Sequence, residues 1–219
     1  SDVCSSDLFD AKFRGRIGPD IIDDKSIRIL NRIVTWTVEG IKYEADQRHG
    51  EIILKQLGLE HGAKAVLTPG VKQELGVTEE DLEELSIKEV SLYRAMTARG
   101  NYLAQDRSDV QFAIKELSRG MASPTAMDRA QLKRFGRYLI ERPRIVNMFN
   151  YQGELTIIDG WSDSDYAGCR RTRKSTSGGL IMLGDHLIKA WSSAQAIIAL
   201  SSGEAEFYLL VKCGSVALG

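Results

Sequence analysis

Acidic residues that could hold a metal ion occur in the last third of the chain. Asp163 and Asp165 stand one residue apart, shortly after a short apolar run at 155–158 that predicts a strand. Glu206 follows about forty residues later, in the first part of a predicted helix. If that helix packs on the sheet, Asp163 and Glu206 come together at the rim of the sheet. The sequence therefore predicts a carboxylate pair there.

Two carboxylates a few ångströms apart repel each other unless a cation lies between them. Mg²⁺ prefers oxygen ligands, and two such ions about 4 Å apart can activate a water and stabilise the leaving oxygen of a phosphodiester. Asp163 and Glu206 thus predict metal-dependent phosphodiester chemistry. By residue type alone, an aspartate pair that caps a turn after a strand is an equally good interpretation.

Two other carboxylate sites fit less well. An EF-hand loop that begins at Asp163 would place Ala167 and Lys174 at positions that need oxygen ligands, so this site is excluded. A paired-carboxylate glycosidase needs an acid and a base or nucleophile that face a sugar cleft. Only the lack of an aromatic platform argues against it.

Short apolar runs and turn residues indicate the elements that would position these carboxylates. Gly184-Asp185 predicts a tight hairpin connection, and Ser201 with Glu204 predicts a capping box at the start of the helix. The predicted strands are Leu155–Ile158, Gly179–Leu183 and Leu187–Trp191.

The first two thirds of the chain predict a hairpin, then helices. Residues 26–44 contain two β-branched runs joined around Glu39-Gly40, and a short amphipathic helix follows Asp46 and stops at Gly58. Between 87 and 142 the apolar period is helical, and Ser123 with Pro124 predicts a helix start. The helical stripes consist of Val110, Ile114, Leu117 and Met121, and then Leu132, Phe135 and Leu139.

Charge is uneven although the net charge is only −1. Residues 59–86 hold seven acids and two bases, a balance of −5, whereas residues 87–150 hold twelve bases and six acids, a balance of +6. Arg129, Lys133 and Arg137 form a positive row along one helix. Such a row is either a solvated outer face or a face that tracks phosphates.

The cysteines and the hydropathy of the chain limit the cellular locations and the types of site that the sequence predicts. Cys4, Cys169 and Cys213 are odd in number and far apart, which predicts neither a disulfide framework nor a zinc site and favours an intracellular location. No run of about 18 apolar residues predicts a membrane span. The three histidines, which are unclustered and predicted to be structural or exposed, are His49, His61 and His186.

Four motifs follow residue 160 in a fixed order: "SDSDYAG" at 162–168, "RKSTSG" at 173–178, "WSS" at 191–193 and "ALSSGEAEF" at 199–207. Together they resemble the ribonuclease H domain of copia-type LTR retrotransposon Pol polyproteins. Upstream, "YRAMTARGNYLAQDRSDVQFAIKELSRGM" and "LKRFGRYL" are similar to the polymerase-to-nuclease connection. "RILNRIVTW" and "YEADQRH" resemble the end of the polymerase region.

The resemblance implies a mixed α/β (α+β) fold with a truncated ribonuclease H-like domain, a helical connection and a hairpin–helix unit. We expect a non-native or disordered leader at 1–10 and the end of the reverse transcriptase region at 11–58. An acidic linker at 59–86, a basic helical connection at 87–150 and the first part of the ribonuclease H-like domain at 151–219 complete the expected organisation.

The resemblance also assigns residues and partners. Asp163 and Glu206 match the family's first aspartate and its helix glutamate, with Asp165 and Glu204 as secondary candidates, and the cofactor would be Mg²⁺ or Mn²⁺. The expected substrate is an RNA–DNA hybrid, and the expected partner is the rest of the Pol polyprotein, with no membrane contact and an unspecified oligomeric state. The expected nucleic-acid contacts are Arg129, Lys133, Arg137, Arg170, Arg171, Arg173, Lys174 and Ser175.

The sequence departs from the family pattern in two ways. The family's third and fourth carboxylates would follow Gly219, and the polymerase Y-x-D-D pair is missing; Asp23 and Asp24 indicate only a charged loop. We therefore expect incomplete nuclease activity and no DNA synthesis from this chain. Two alternatives stay open: a nucleic-acid-binding module without catalysis, and a degenerate retroelement remnant.

Overall fold

The computed structural model describes residues 16–60, 62–71, 78–169 and 172–219. These residues form five α-helices and two antiparallel sheets, which confirms the predicted mixed α/β fold. The first sheet has the order β1-β2-β3-β4, and the second has the order β5-β6-β7. The expected leader at 1–10 lies outside the described residues.

The first sheet contains β1 (Ser26–Ile29), β2 (Arg32–Trp36), β3 (Gly40–Glu44) and β4 (Val146–Asn150). The predicted hairpin at Glu39-Gly40 is confirmed as the β2–β3 connection. A second tight turn joins β1 to β2 through Leu30 and Asn31, whose φ angles of 49° and 65° lie in the left-handed region. The sequence did not predict β4, which pairs with β3 about a hundred residues later.

A helical body forms the main core. Its helices are α1 (Arg48–Gln56), α2 (Ile87–Ala104), α3 (Gln111–Arg119) and α4 (Ala126–Glu141). Both predicted apolar stripes are confirmed, because their members are buried or pack against the buried cluster. The acidic stretch contributes an exposed 3-10 turn at Glu80–Leu82.

The prediction that Ser123 caps α4 is wrong. Thr125 is the N-cap, and its hydroxyl accepts a hydrogen bond from the backbone N–H of Asp128. The Asp128 side chain accepts one in return from the backbone N–H of Thr125 at 2.9 Å. This reciprocal capping box satisfies two backbone donors, whereas a helix that began at Pro124 would not place Asp128 three residues after its cap.

Arg107 is buried between α2, α3 and α4. Its guanidinium donates two hydrogen bonds to the Asp109 carboxylate, at 3.0 and 2.7 Å, and a third to the carbonyl oxygen of Arg142. The hydroxyl of Tyr138 also donates to Asp109, at 2.7 Å. Because each charged group has partners, this buried network fixes the end of α4 against the start of α3.

The second sheet contains β5 (Ile158–Asp165), β6 (Thr176–Leu183) and β7 (His186–Ala194), and α5 (Ser202–Leu218) packs on it. The predicted tight turn at Gly184 is confirmed, with a φ of +58°. Ser201 caps α5 as predicted, by accepting from the backbone N–H of Glu204, but the predicted capping box is not completed, because the Glu204 side chain accepts from the Leu200 backbone N–H instead. Every helix in the described ranges is too short or too polar to span a membrane.

Candidate metal centre

Asp163 lies inside β5, not after its end. The strand continues through Asp165 because each residue from Ile158 onward pairs with β6, including Asp163 opposite Gly178 and Asp165 opposite Thr176. The predicted strand at 155–158 is therefore placed too early. The sequence did not predict the full extent of β5, because Gly160 and the polar residues after Trp161 lack the apolar pattern of a strand.

The alternation of side chains along β5 divides the site between two faces. A Cβ atom at Gly160 would lie 2.9 Å from the Sγ of Cys213 in α5, so the even-numbered positions face that helix. Ser164 is on the same face and contacts α5 directly. The odd-numbered positions, including Asp163, belong to the opposite face.

Glu206 reaches β5 through Ser164. Its Oε1 accepts a hydrogen bond from the Ser164 hydroxyl at 2.7 Å and another from the Ser164 backbone N–H at 3.3 Å. Because β5 is an edge strand of its sheet, this contact places Glu206 at that strand's Ser164 backbone. The structure thus brings Glu206 into contact with Ser164, the residue that directly follows Asp163. Ser164 lies 42 positions before Glu206 in the chain.

Glu204 is committed to the start of α5. Its carboxylate accepts from the Tyr208 hydroxyl and from the Leu200 backbone N–H, each at 2.6 Å. Both hydrogen bonds lower the pKa of Glu204, and the one from Tyr208 has the larger effect. Glu204 therefore serves the helix terminus, which leaves Glu206 as the carboxylate of α5 nearest to β5.

Asp165 is the last residue of β5, and its side chain packs against the turn that follows the strand. A Cβ atom at Gly168 would lie 2.0 Å from Asp165 Oδ2, so the carboxylate packs directly over that glycine. The backbone N–H of Gly168 also donates to the carbonyl oxygen of Asp165. This packing fits a residue that shapes the turn.

Helix α3 supplies cationic groups beside this turn, which the sequence did not predict as part of the site. Lys115 Nζ donates to the hydroxyl of Thr176 at 2.9 Å, and Arg119 donates to the same oxygen at 3.4 Å. Thr176 pairs with Asp165 across the strands. Burial lowers the pKa of Lys115, while Glu116 and Asp165 act in the opposite direction. The sequence signals only that Lys115 and Arg119, four residues apart, share one side of α3. It does not signal their contact with Thr176, which lies about sixty positions later in the chain.

The predicted basic loop is tied to its neighbours. Lys174 Nζ donates to the carbonyl oxygen of Ala196 at 2.6 Å, and Arg173 has a left-handed φ of 58°. Ser175 is fully buried and its hydroxyl accepts from the backbone N–H of Ala167, so it shapes the loop from inside. Arg170 and Arg171 lie outside the described residues.

The basic row of α4 has partners within the protein at two of its three positions. Arg129 forms an ion pair with Glu89, and Arg137 donates to the carbonyl oxygen of Lys64. Lys133 is exposed between them. The row therefore also fastens α4 to α2 and to the segment before it.

The candidate metal ligands are oxygen atoms, which suit a hard cation, but there are few of them. Asp163 and Glu206 are exposed carboxylates, and Ser164 adds a hydroxyl beside them. Among the described residues, no group of three or more His, Cys, Asp or Glu is close enough to hold a metal ion. The structure does not bring the two predicted carboxylates together: Glu206 lies on the α5 side at Ser164, whereas Asp163 lies on the opposite face of β5.

The relatives of this chain include retroelement proteins. The chain is 36% identical over 115 residues to each of two Arabidopsis thaliana proteins, the retrovirus-related Pol polyproteins from transposons RE1 and RE2. It is 32% identical over 124 residues to the secreted RxLR effector protein 161 of Plasmopara viticola, and this match covers 57% of the chain and 87% of that protein. The chain is therefore homologous to a part of retrotransposon Pol polyproteins. The predicted resemblance to retrotransposon Pol polyproteins is confirmed.

The coverage of these relatives sets the scope of the comparison. The matches to RE1 and RE2 cover 52% of this chain and 8% of each polyprotein. The chain therefore corresponds to a part of a larger polyprotein. No family model and no solved structure matches the chain.

Proposed function

We propose that this chain is the part of a retrotransposon Pol polyprotein that carries the first two metal carboxylates of a ribonuclease H. In the polyprotein, the activity would be hydrolysis of the RNA strand of an RNA–DNA hybrid. The contact between Glu206 and Ser164 carries the proposal, because it joins the aspartate-bearing strand to the glutamate-bearing helix. The similarity to the RE1 and RE2 polyproteins supports it independently.

Asp163 and Glu206 would hold Mg²⁺ or Mn²⁺ in the polyprotein, which requires one of the two side chains to turn toward the edge of β5. When bound, such an ion supplies activation of a water and stabilisation of the leaving oxygen. Glu206 already accepts two hydrogen bonds from Ser164, which orient its carboxylate at the strand edge. Asp163 is held by the β5–β6 ladder, so the strand fixes its backbone.

The nucleic acid would lie along the exposed surface of β5. Arg173 is exposed beside the turn that follows β5 and would contact the sugar–phosphate backbone of a hybrid. An intracellular setting belongs to the same proposal. It rests on the odd number and wide spacing of the three cysteines in the sequence.

Metal binding tests the site without requiring turnover. Mn²⁺ binding to the 219-residue chain, measured by electron paramagnetic resonance, should weaken about ten-fold or more in Asp163→Asn and in Glu206→Gln. Asp159→Asn is the matched control, because Asp159 lies on the same strand and the same face but four residues away. The proposal is wrong if both site variants bind Mn²⁺ as the control does.

Hybrid cleavage tests the activity in the longer polyprotein. With Mg²⁺ and a hybrid labelled on its RNA strand, cleavage should be lost in Asp163→Asn and kept in Asp159→Asn. Salt-sensitive binding of the hybrid with no cleavage in any variant would instead indicate a nucleic-acid-binding module.

A further inference from the structure

A cavity of about 220 Å³ lies between the β1–β2 turn and helices α1 and α2, away from the candidate metal centre. Leu30 of the turn, His49 of α1 and Tyr102 of α2 contribute to its lining. Pockets for drug-sized ligands have volumes of about 300–1,000 Å³. This cavity therefore has room for one planar ring system, not for a large ligand.

The aromatic wall of the cavity is a stacked pair. The rings of His49 and Tyr102 are 5.4 Å apart with an interplanar angle of 11°. Burial lowers the pKa of His49, so its imidazole is neutral near pH 7 and the stack carries no charge. Tyr102 remains 61% exposed, which leaves ring surface for a further aromatic group.

Two arginine side chains line the cavity, and one of them is held more tightly than the other. Arg32 is held at 2.7 Å from Asp106, which also accepts a hydrogen bond from the Tyr43 hydroxyl. Arg48 is 3.8 Å from Asp46, and its side chain is 60% exposed. Arg32 is therefore part of a fixed wall, whereas Arg48 can turn toward an anion at the mouth of the cavity.

The charge of the lining favours a ligand with a neutral ring. Asp46 and Asp106 balance Arg32 and Arg48, so the cavity has no net charge with which to attract a polyanion. Its polar groups instead offer donors and acceptors around an aromatic face. That combination matches the π-face and hydrogen-bonding edge of a base, with one phosphate within reach of Arg48.

We propose that this cavity binds a single nucleobase together with its adjoining phosphate. The base stacks on Tyr102 and Arg48 contacts the phosphate. The base comes from a single strand of nucleic acid or from a free nucleotide. This site does not depend on Asp163 or Glu206, so it stands or falls separately from the nuclease proposal.

The first experiment measures binding of a fluorescein-labelled oligothymidylate by anisotropy. Tyr102→Ala should weaken binding on the order of ten-fold, as expected for one lost stacking contact. Tyr151→Ala is the matched control, because Tyr151 is similarly exposed, at 58%, and does not line the cavity. Equal affinities for these two variants would overturn the proposal.

The second measurement addresses the phosphate. Arg48→Gln should reduce the slope of log affinity against log salt by about 0.7, the value for one phosphate of a single strand. Arg28→Gln, an exposed arginine on β1, serves as control and should leave the slope closer to that of the wild type. An unchanged slope for Arg48→Gln contradicts the role of Arg48.

Two further ligands identify the source of the base. An abasic oligonucleotide should bind more weakly than oligothymidylate and should be insensitive to Tyr102→Ala. Adenosine monophosphate, followed by NMR line broadening, would bind in a Tyr102-dependent manner if the site takes free nucleotides. An abasic strand that binds as tightly as oligothymidylate would show that no base is recognised. Asp163→Asn should change none of these results.

Discussion

At the scale of single residues, polar side chains make the contacts that join distant segments. Glu206 contacts Ser164, Lys115 contacts Thr176, and Arg107 contacts the carbonyl oxygen of Arg142. Hydrogen bonds to charged groups contribute more than neutral ones, about 1.5–3 kcal/mol each when buried. The exposed Glu206 contact is weaker for that reason and can rearrange when a cation binds.

The buried part of His49 makes the stability of the fold depend on pH. Burial lowers the pKa of His49 below its ordinary value of 6.5, and nearby Arg48 and Arg99 act in the same direction, whereas Asp46 opposes them. The unfolded chain therefore binds more protons than the folded chain just below pH 6.5. The contribution of His49 to stability is therefore complete above pH 6.5 and is lost as the pH falls below that value.

We expect His49→Gln to reduce this pH dependence. The loss in melting temperature between pH 7.5 and pH 5.5, measured by circular dichroism, should be smaller in His49→Gln than in the wild type. His186→Gln is the control, because His186 contacts the carbonyl oxygen of Asn150 at the surface. A wild-type loss that His49→Gln leaves unchanged would mean that other groups cause it.

At the scale of elements, local signals predicted the helices better than the strands. Gly58 ends α1 in a left-handed conformation and Ser201 caps α5, and both effects are local in sequence. The extent of β5 depends instead on pairing with β6, which lies more than ten residues away. A polar segment such as 162–165 becomes a strand because its partner provides the hydrogen bonds.

The corrected start of α4 gives a test at this scale. Thr125→Ala removes the hydroxyl that caps α4 and should lower the free energy of unfolding by about 1 kcal/mol. Ser123→Ala should change it by less than about 0.5 kcal/mol, since Ser123 is exposed and does not cap the helix. Urea denaturation monitored by circular dichroism measures both values. A larger effect at Ser123 would restore the earlier helix start.

At the scale of the whole molecule, the sequence predicted which residues could do chemistry but not how the segments assemble. Residue type and motif made Asp163 and Glu206 candidates, and their role as metal ligands stays a prediction. Their relation through Ser164 was not predictable, because it depends on the register of β5 and the docking of α5. The pairing of β3 with β4 is likewise non-local, and neither strand alone signals its partner.

Helix α5 leaves an apolar surface exposed. One side of the helix buries Ala205, Leu209 and Cys213 against the sheet. A second stripe is more than half exposed, and a surface helix with apolar residues on both sides is unusual. An exposed apolar stripe next to the open edge of β5 favours association. The stripe consists of Phe207, Leu210, Val211 and Leu218.

We therefore expect the 219-residue chain to self-associate as its concentration rises. Leu210→Lys places a charge in the stripe, where the side chain is 65% exposed, and should shift sedimentation velocity profiles toward monomer. Leu67→Lys makes the same change at a 78% exposed position outside the stripe and should not. If both variants associate as the wild type does, contacts other than the α5 stripe join the copies. A wild-type chain that stays monomeric at every concentration would show that the stripe alone does not drive association.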